Sequence, residues 1–394
     1  KCLDSCCVQA YAGTGKTSAI VAKLHVLAQK SVGNDGRGVC VISHTNVAVD
    51  EIKNHVAKDY PEIMQYPNFV GTIQEFANKF LFIPYLGNNK LKIRFQDEFR
   101  FIDYANELPK KIVARINNHL CSRVAHSGNS SRAREDFLNK LRTLHLVNNK
   151  LFTKTRDDES SELSVSLKIA TKQVSQEEID NAFRDIIKKK HGDGYFLFVE
   201  SFYYGLEYLK QYPIIKDIIG NRFQFVFLDE AQDCSSIQLA LLNELFLNKP
   251  NTVFQQIGDT NQAISKAEWK APTHCWYFEQ STRFGKSIAG FINKFQTDTG
   301  KGVAGCSHET IKILIIYSFE NKLKVLPEFA KIIQDKSIPL EEGKGYFAIS
   351  HEHEQLEEYF PDYSEKIAKN KNKRSSYRFD NDIEYIDLIS KENI

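Results

Sequence analysis

The stretch Ala10-Tyr-Ala-Gly-Thr-Gly-Lys-Thr17 constrains this chain more than any other. An apolar run, Cys6-Cys-Val8, precedes it and a helical pattern over 18–29 follows, so it reads as a buried strand, a glycine turn and a helix N-terminus. The first N–H groups of a helix lack intrahelical partners and can wrap phosphate, which makes Ala12, Gly13, Thr14, Gly15, Lys16, Thr17 and Ser18 the candidate nucleotide-binding loop. Lys16 brings a charge for the terminal phosphates and Thr17 a hydroxyl for Mg²⁺. A second stretch, Phe225-Val-Phe-Leu-Asp-Glu-Ala-Gln-Asp233, is an apolar strand that ends on acids. It places Asp229 to hold the metal and Glu230 to polarise an attacking water. Either motif alone is a moderate signal; together they imply binding and hydrolysis of ATP with Mg²⁺.

A chain of 394 residues exceeds one ordinary core, so two or more domains are expected. No apolar stretch approaches the ~20 residues of a membrane span and no signal-peptide pattern opens the chain, so the expectation is a soluble, cytoplasmic protein without a membrane partner. The eight cysteines, at 2, 6, 7, 40, 121, 234, 275 and 306, form no C-x-x-C pair; they read as reduced thiols rather than a zinc site or disulfide framework. Net charge is only +2, so any DNA-binding face must be a local patch. The chain starts at Lys1, just ahead of the phosphate loop, and carries one methionine, Met64; a missing N-terminal segment is expected.

Short β-branched runs at 39–42, 69–70, 225–228 and 252–254 alternate with amphipathic patterns such as 18–29 and 47–57. That rhythm predicts a parallel sheet covered by helices, with functional residues at the C-terminal strand ends. Between about 86 and 194 it gives way to helical patterns over 97–119, 130–147 and 175–190, with a polar piece over 155–164 read as a loop. A helix pair over 195–219 returns the chain to the sheet, and its aromatics Phe196, Phe198, Phe202, Tyr203, Tyr204 and Tyr208 are read as core. After Trp276 a second unit is expected, with strands at 312–317 and 345–349 around a helix over 322–334; the basic stretch 366–378 reads as a solvated loop.

Two further motifs complete a nucleotide constellation. In Gly258-Asp-Thr-Asn-Gln262 the Gln262 amide can bond a γ-phosphate, and in Ser281-Thr-Arg283 the arginine can reach the same group across a cleft. Ser43-His-Thr-Asn46 and Gly71-Thr72-Ile-Gln-Glu-Phe76 offer hydroxyls and amides suited to backbone phosphates, although helix capping serves those residue types equally.

In this order and spacing the motifs resemble the UvrD/Rep family of superfamily 1 DNA helicases. The resemblance implies an α/β fold, with a RecA-like parallel-sheet P-loop domain carrying a helical insertion and then a partial second RecA-like domain. The expected division is domain 1A over 1–85, insertion 1B over 86–194, the rest of 1A over 195–277, and partial domain 2A over 278–394. It also implies ATP bound between the domains, single-stranded DNA across their tops, and 3′ to 5′ movement. Lys16 and Thr17 then match the phosphate-loop pair, Asp229 the Mg²⁺ acid, Glu230 the catalytic base, Gln262 the γ-phosphate sensor and Arg283 an arginine finger. Thr45, Asn46 and Thr72 match DNA-backbone contacts, and His44 stands where the family carries an aromatic for a base.

Other positions depart from that pattern. Ser265 and Ala267 replace aromatics that follow the sensor glutamine, with Trp269 a shifted substitute. Thr282 replaces the tyrosine that covers adenine, which relaxes the expected base selectivity. Neither a Lys-Gly-Leu-Glu segment nor a second arginine-finger motif follows Ile349, and Lys344-Gly345 precedes a strand instead. The compact size and altered stacking positions are similar to the UvrD-like subunit of Gabija-type anti-phage systems. That likeness implies an alternative role as a DNA- or nucleotide-responsive ATPase that regulates a nuclease partner.

Overall fold

The structure, a computed structural model, describes residues 4–29, 36–96, 144–147, 150–153, 176–263, 269, 275–296, 302–307 and 315–336. The central sheet is built from β1 (Cys6–Ala10), β2 (Gly38–Ser43) and β3 (Phe69–Thr72) early in the chain, with α1 (Lys16–Gln29) and α2 (Asn46–Val56) as the crossovers. After β3 run α3 (Ile73–Ala77), a π turn over Asn78–Phe82, α4 (Ile83–Asn88) and the short β4 (Phe95–Gln96). A hairpin of β5 (Leu144–Val147) and β6 (Lys150–Thr153) precedes α5 (Gln176–Gly192), β7 (Tyr195–Phe196), α6 (Glu200–Gln211) and α7 (Ile214–Arg222). The chain then re-enters the sheet through β8 (Phe223–Leu228), α8 (Ser236–Phe246), β9 (Val253–Gly258) and β10 (Cys275–Phe278). Beyond it come β11 (Gln280–Gly285), α9 (Lys286–Ile292) and β12 (Ala304–Cys306).

Six strands lie in the order β10-β1-β9-β8-β2-β3, every neighbouring pair parallel. Residues of period two divide between the faces. Val39 and Val41 of β2 join Phe225 and Phe227 of β8 and Ile20 and Leu24 of α1 in one core. Cys40 and Ile42 join Val226 and Leu228 with Phe76, Phe202, Leu241 and Phe246 in the other. Both faces being covered is why these strands read as continuous apolar runs. Each fully buried phenylalanine contributes about 1.5–3 kcal/mol relative to exposure. The expected parallel α/β sheet is therefore present.

Several local expectations change. Leu144–Val147 is a strand rather than the tail of a helix: Leu144 and Leu146 are buried with a period of two, and the hairpin partner supplies Leu151. One compact unit runs over Lys1–Thr310, in which β10 closes the sheet edge against β1 and β11 follows directly. The second compact unit is Ile311–Ile394. In it residues 315–318 carry no strand, and a 3₁₀ turn (Phe319–Lys324) leads into α10 (Val325–Asp335). The segments 97–119, 155–164, 345–349 and 366–378, expected as a helix, a loop, a strand and a solvated loop, lie outside the described residues. Among the described residues six cysteines are free thiols, and no helix is long and apolar enough to cross a membrane.

A buried ionic cluster ties the end of α5 to the start of α6. Glu200 accepts from the Leu197 N–H at 2.6 Å, meets His191 Nε2 at 2.8 Å and lies 3.4 Å from Lys190 Nζ; Lys190 and Glu200 are fully buried. Burial alone would push the Glu200 carboxyl up, but Lys190, His191 and the hydrogen bonds outweigh it and hold it at about 2. The native pKa lies below the unfolded value of about 4.3, so this contribution is complete above pH ~4.3 and is lost as the pH falls toward 2. Glu200→Gln is expected to lower the unfolding free energy by about 3–5 kcal/mol at pH 7. In urea titrations the gap to wild type should shrink below pH 4; a constant gap down to pH 3 would show that the charge on Glu200 is not what matters.

Candidate nucleotide site and nucleic-acid face

The parallel strands deliver their C-terminal ends to one rim, and the motif residues follow from there. β1 runs into the glycine loop, where Gly13 (φ 70°) and Gly15 (φ 86°) take left-handed conformations that favour glycine. Thr14 Oγ1 donates to the Tyr11 carbonyl at 2.7 Å and pins the turn. A Cβ at Gly13 would sit 2.7 Å from Ser281 Oγ and 2.9 Å from Arg283 Cβ, so the loop packs tightly on β11. The Thr282 N–H donates to the Gly13 carbonyl at 2.9 Å. The Ser281 and Thr282 hydroxyls donate to the same carbonyl at 3.4 and 3.3 Å, and the Arg283 N–H donates to Ser281 Oγ at 3.1 Å, so Arg283, exposed, stands beside the phosphate loop.

Lys16 draws the distant motifs together. Its Nζ donates to Glu230 Oε2 at 2.7 Å and to Gln262 Oε1 at 3.4 Å. Glu230 closes β8 in a left-handed conformation (φ 52°, ψ 47°), costly for a non-glycine residue and therefore a mark of a position held for its side chain. Two glutamines that the motif reading passed over brace this arrangement. Gln232 Nε2 donates to Glu230 Oε2 at 2.7 Å while its Oε1 accepts from the Asp259 N–H at 2.9 Å. Gln9, buried within β1, donates to Asp259 Oδ1 at 3.0 Å and Thr260 Oγ1 at 3.2 Å. A polar residue inside an apolar strand is the only sequence signal for Gln9, and buried amides need such partners.

Asp229 is the natural candidate for a metal ligand. It is 1% exposed, its Oδ1 accepts from the Glu230 N–H at 3.1 Å, and its Oδ2 is buried with no hydrogen-bond partner. Burial, reinforced by the Glu230 charge and opposed by Lys16, pushes its carboxyl up to about 7. A buried oxygen without a donor, next to a second carboxylate, fits a hard divalent cation, and Thr17 at the start of α1 adds a hydroxyl. The residues present therefore suit Mg²⁺.

The second set of motif residues lines the adjoining strand ends. β2 and β3 pair Ser43 with Thr72, and the Asp229 N–H donates to the Ile42 carbonyl at 2.8 Å, so these loops flank the acid end of β8. His44, Thr45 and Asn46 are exposed. Both threonines cap helices: Thr45 Oγ1 accepts from the Ala48 N–H at 3.3 Å, and Thr72 forms a capping box with Glu75. Thr72 is itself buried, which reserves its hydroxyl for that cap. Trp269, the shifted aromatic, is buried too, its Nε1 donating to Gln256 Oε1 at 2.7 Å, so it presents no stacking face. Ser265 and Ala267 lie outside the described residues.

One aromatic read as core is not. Phe196, Phe202, Tyr204 and Tyr208 are buried, but Phe198 is 45% exposed. Gln74 at the start of α3 donates to Ser201 Oγ at 2.7 Å and to the Phe198 carbonyl at 3.3 Å, fixing that backbone beside the Thr72 loop. Six aromatics in thirteen residues mask the exception, because the break in burial falls at the turn before α6 rather than within a helical face.

No match is found among curated proteins. The UvrD/REP helicase N-terminal domain, however, matches residues 2–270, which span the six-stranded sheet up to β10 and every motif residue from Ala12 to Gln262. The chain belongs to the UvrD/Rep family of ATP-dependent helicases.

Proposed function

We propose that this chain hydrolyses ATP at the Lys16 site and uses the cycle to move along single-stranded DNA, in the 3′ to 5′ sense of the family. The observation that carries the reading is the convergence of Lys16, Glu230 and Gln262 within hydrogen-bond reach. Lys16, paired to Glu230, is drawn to the terminal phosphates of an incoming triphosphate, which frees the carboxylate to take a proton from the attacking water. Gln262 then turns its amide donor to the γ-phosphate, and Arg283 offsets the charge that develops on it. Gln232 keeps Glu230 oriented while its partner changes. Thr17 and Asp229 hold Mg²⁺, which when bound offsets phosphate charge and orients the triphosphate.

His44, Thr45 and Asn46 supply the backbone contacts for DNA, Thr72 sets the direction of α3, and Phe198 offers a base-stacking face. With Trp269 buried, stacking surfaces are fewer, which favours weak strand separation and a second reading: a DNA-responsive ATPase that controls a nuclease partner. Stable co-purification with a nuclease supports that second role, and duplex unwinding by the isolated protein supports the first.

Phosphate release in the presence of single-stranded DNA should fall about 100-fold or more in Lys16→Ala and Glu230→Gln, with circular dichroism unchanged. Turnover at the wild-type rate in either variant would refute the assigned roles. Phe198→Ala should weaken binding of a fluorescent oligothymidylate by about 1–3 kcal/mol, or roughly 5- to 150-fold, without altering nucleotide affinity. Unchanged anisotropy titrations would remove Phe198 from the DNA face.

A further inference from the structure

A cavity of about 350 Å³ opens between α1 and α2, directly beside the phosphate loop. Thr17 forms one wall; among the described residues His25, Glu51 and His55 are its other large polar groups, and Glu51 is the one carboxylate lining it. Glu51 lies on α2, which Thr45 caps and which therefore starts from the β2 end that hydrogen-bonds Asp229. Its side chain is exposed, so it is free to take up a contact within the cavity. A cavity that joins Thr17 to Glu51, on a helix that starts from the strand end hydrogen-bonded to Asp229, forms a single arrangement.

Mg²⁺ sheds its water reluctantly and usually retains several molecules when bound by one or two protein ligands. Those waters are strong donors, and a carboxylate at the edge of the site is their best acceptor. We propose that Glu51 is a positioning residue for the nucleotide-bound metal, accepting a hydrogen bond from a metal-coordinated water on the cavity side of Thr17. The proposal rests on the reading of Thr17 and Asp229 as Mg²⁺ ligands and adds a third residue that touches neither ATP nor the metal. Glu51 is thereby distinct from Glu230, which faces Lys16.

The test follows a fluorescent ADP analogue binding to the full chain as Mg²⁺ is titrated from EDTA. For Glu51→Gln the Mg²⁺ midpoint should rise about tenfold, as for loss of other outer-sphere partners, while affinity in EDTA stays at the wild-type value. Glu51→Asp should recover most of the shift, and His55→Ala, one turn along the same wall, should leave the midpoint in place. A Glu51→Gln midpoint equal to wild type overturns the role of Glu51. Wild-type binding that is indifferent to Mg²⁺ overturns the metal site itself, so the two failures are distinguishable. A variant that alters affinity in EDTA as strongly as in Mg²⁺ indicates reshaping of the loop and also overturns the proposal.

Discussion

An ammonium and a carboxylate separated by 214 positions in sequence meet at 2.7 Å, and the remaining architecture can be understood as what makes that meeting possible. Lys16 opens a helix and Glu230 closes a strand, so neither can be placed by local structure alone. The parallel order β1-β9-β8 solves the problem by delivering three chain ends to one rim, with β9 between the lysine strand and the glutamate strand. From β9 follow Asp259 and Gln262, and the buried amides of Gln9 and Gln232 lock the three ends in register. Those amides replace a possible layer of apolar contacts with directional ones, which fix orientation at the level of single atoms.

The two-sided core explains why such a rim is stiff. Phenylalanines of β8 alternate with valine and leucine, so the acid-bearing strand is gripped from both faces before it reaches Asp229. Strain is concentrated one residue later, at the left-handed Glu230, where the backbone must turn out of the sheet. Rigidity behind and strain ahead are a combination expected where a side chain must be aimed rather than merely accommodated.

Much of this was readable from residues alone. The glycine loop and acid strand predicted that Lys16 and Glu230 converge, as they do, and the alternation of short β-branched runs with amphipathic helices predicted the parallel sheet. Gln9 and Gln232 escaped notice because a lone amide in a motif carries no pattern until its partners are known. Phe198 was hidden for the opposite reason, since it sits among aromatics that really are core. Trp269 reversed the same way: an indole that looked available is committed to Gln256. Leu144–Val147 was misread because four residues of alternation are too short to outweigh the helical composition around them. Thr45 and Thr72 show a different limit, for both cap helices at the rim of strand ends, and composition does not separate capping from ligand contact.

The docking of β11 on the phosphate loop converges on one acceptor: the Gly13 carbonyl takes the Thr282 N–H at 2.9 Å, the Thr282 hydroxyl at 3.3 Å and the Ser281 hydroxyl at 3.4 Å. The main-chain bond does not depend on the side chain at 282, but the hydroxyl bond does. Replacing Thr282 would therefore remove one hydroxyl bond while the Arg283 N–H keeps its own acceptor, Ser281 Oγ at 3.1 Å. What residue 282 contributes to the loop is thus separable from what holds the backbone of residue 283 in place.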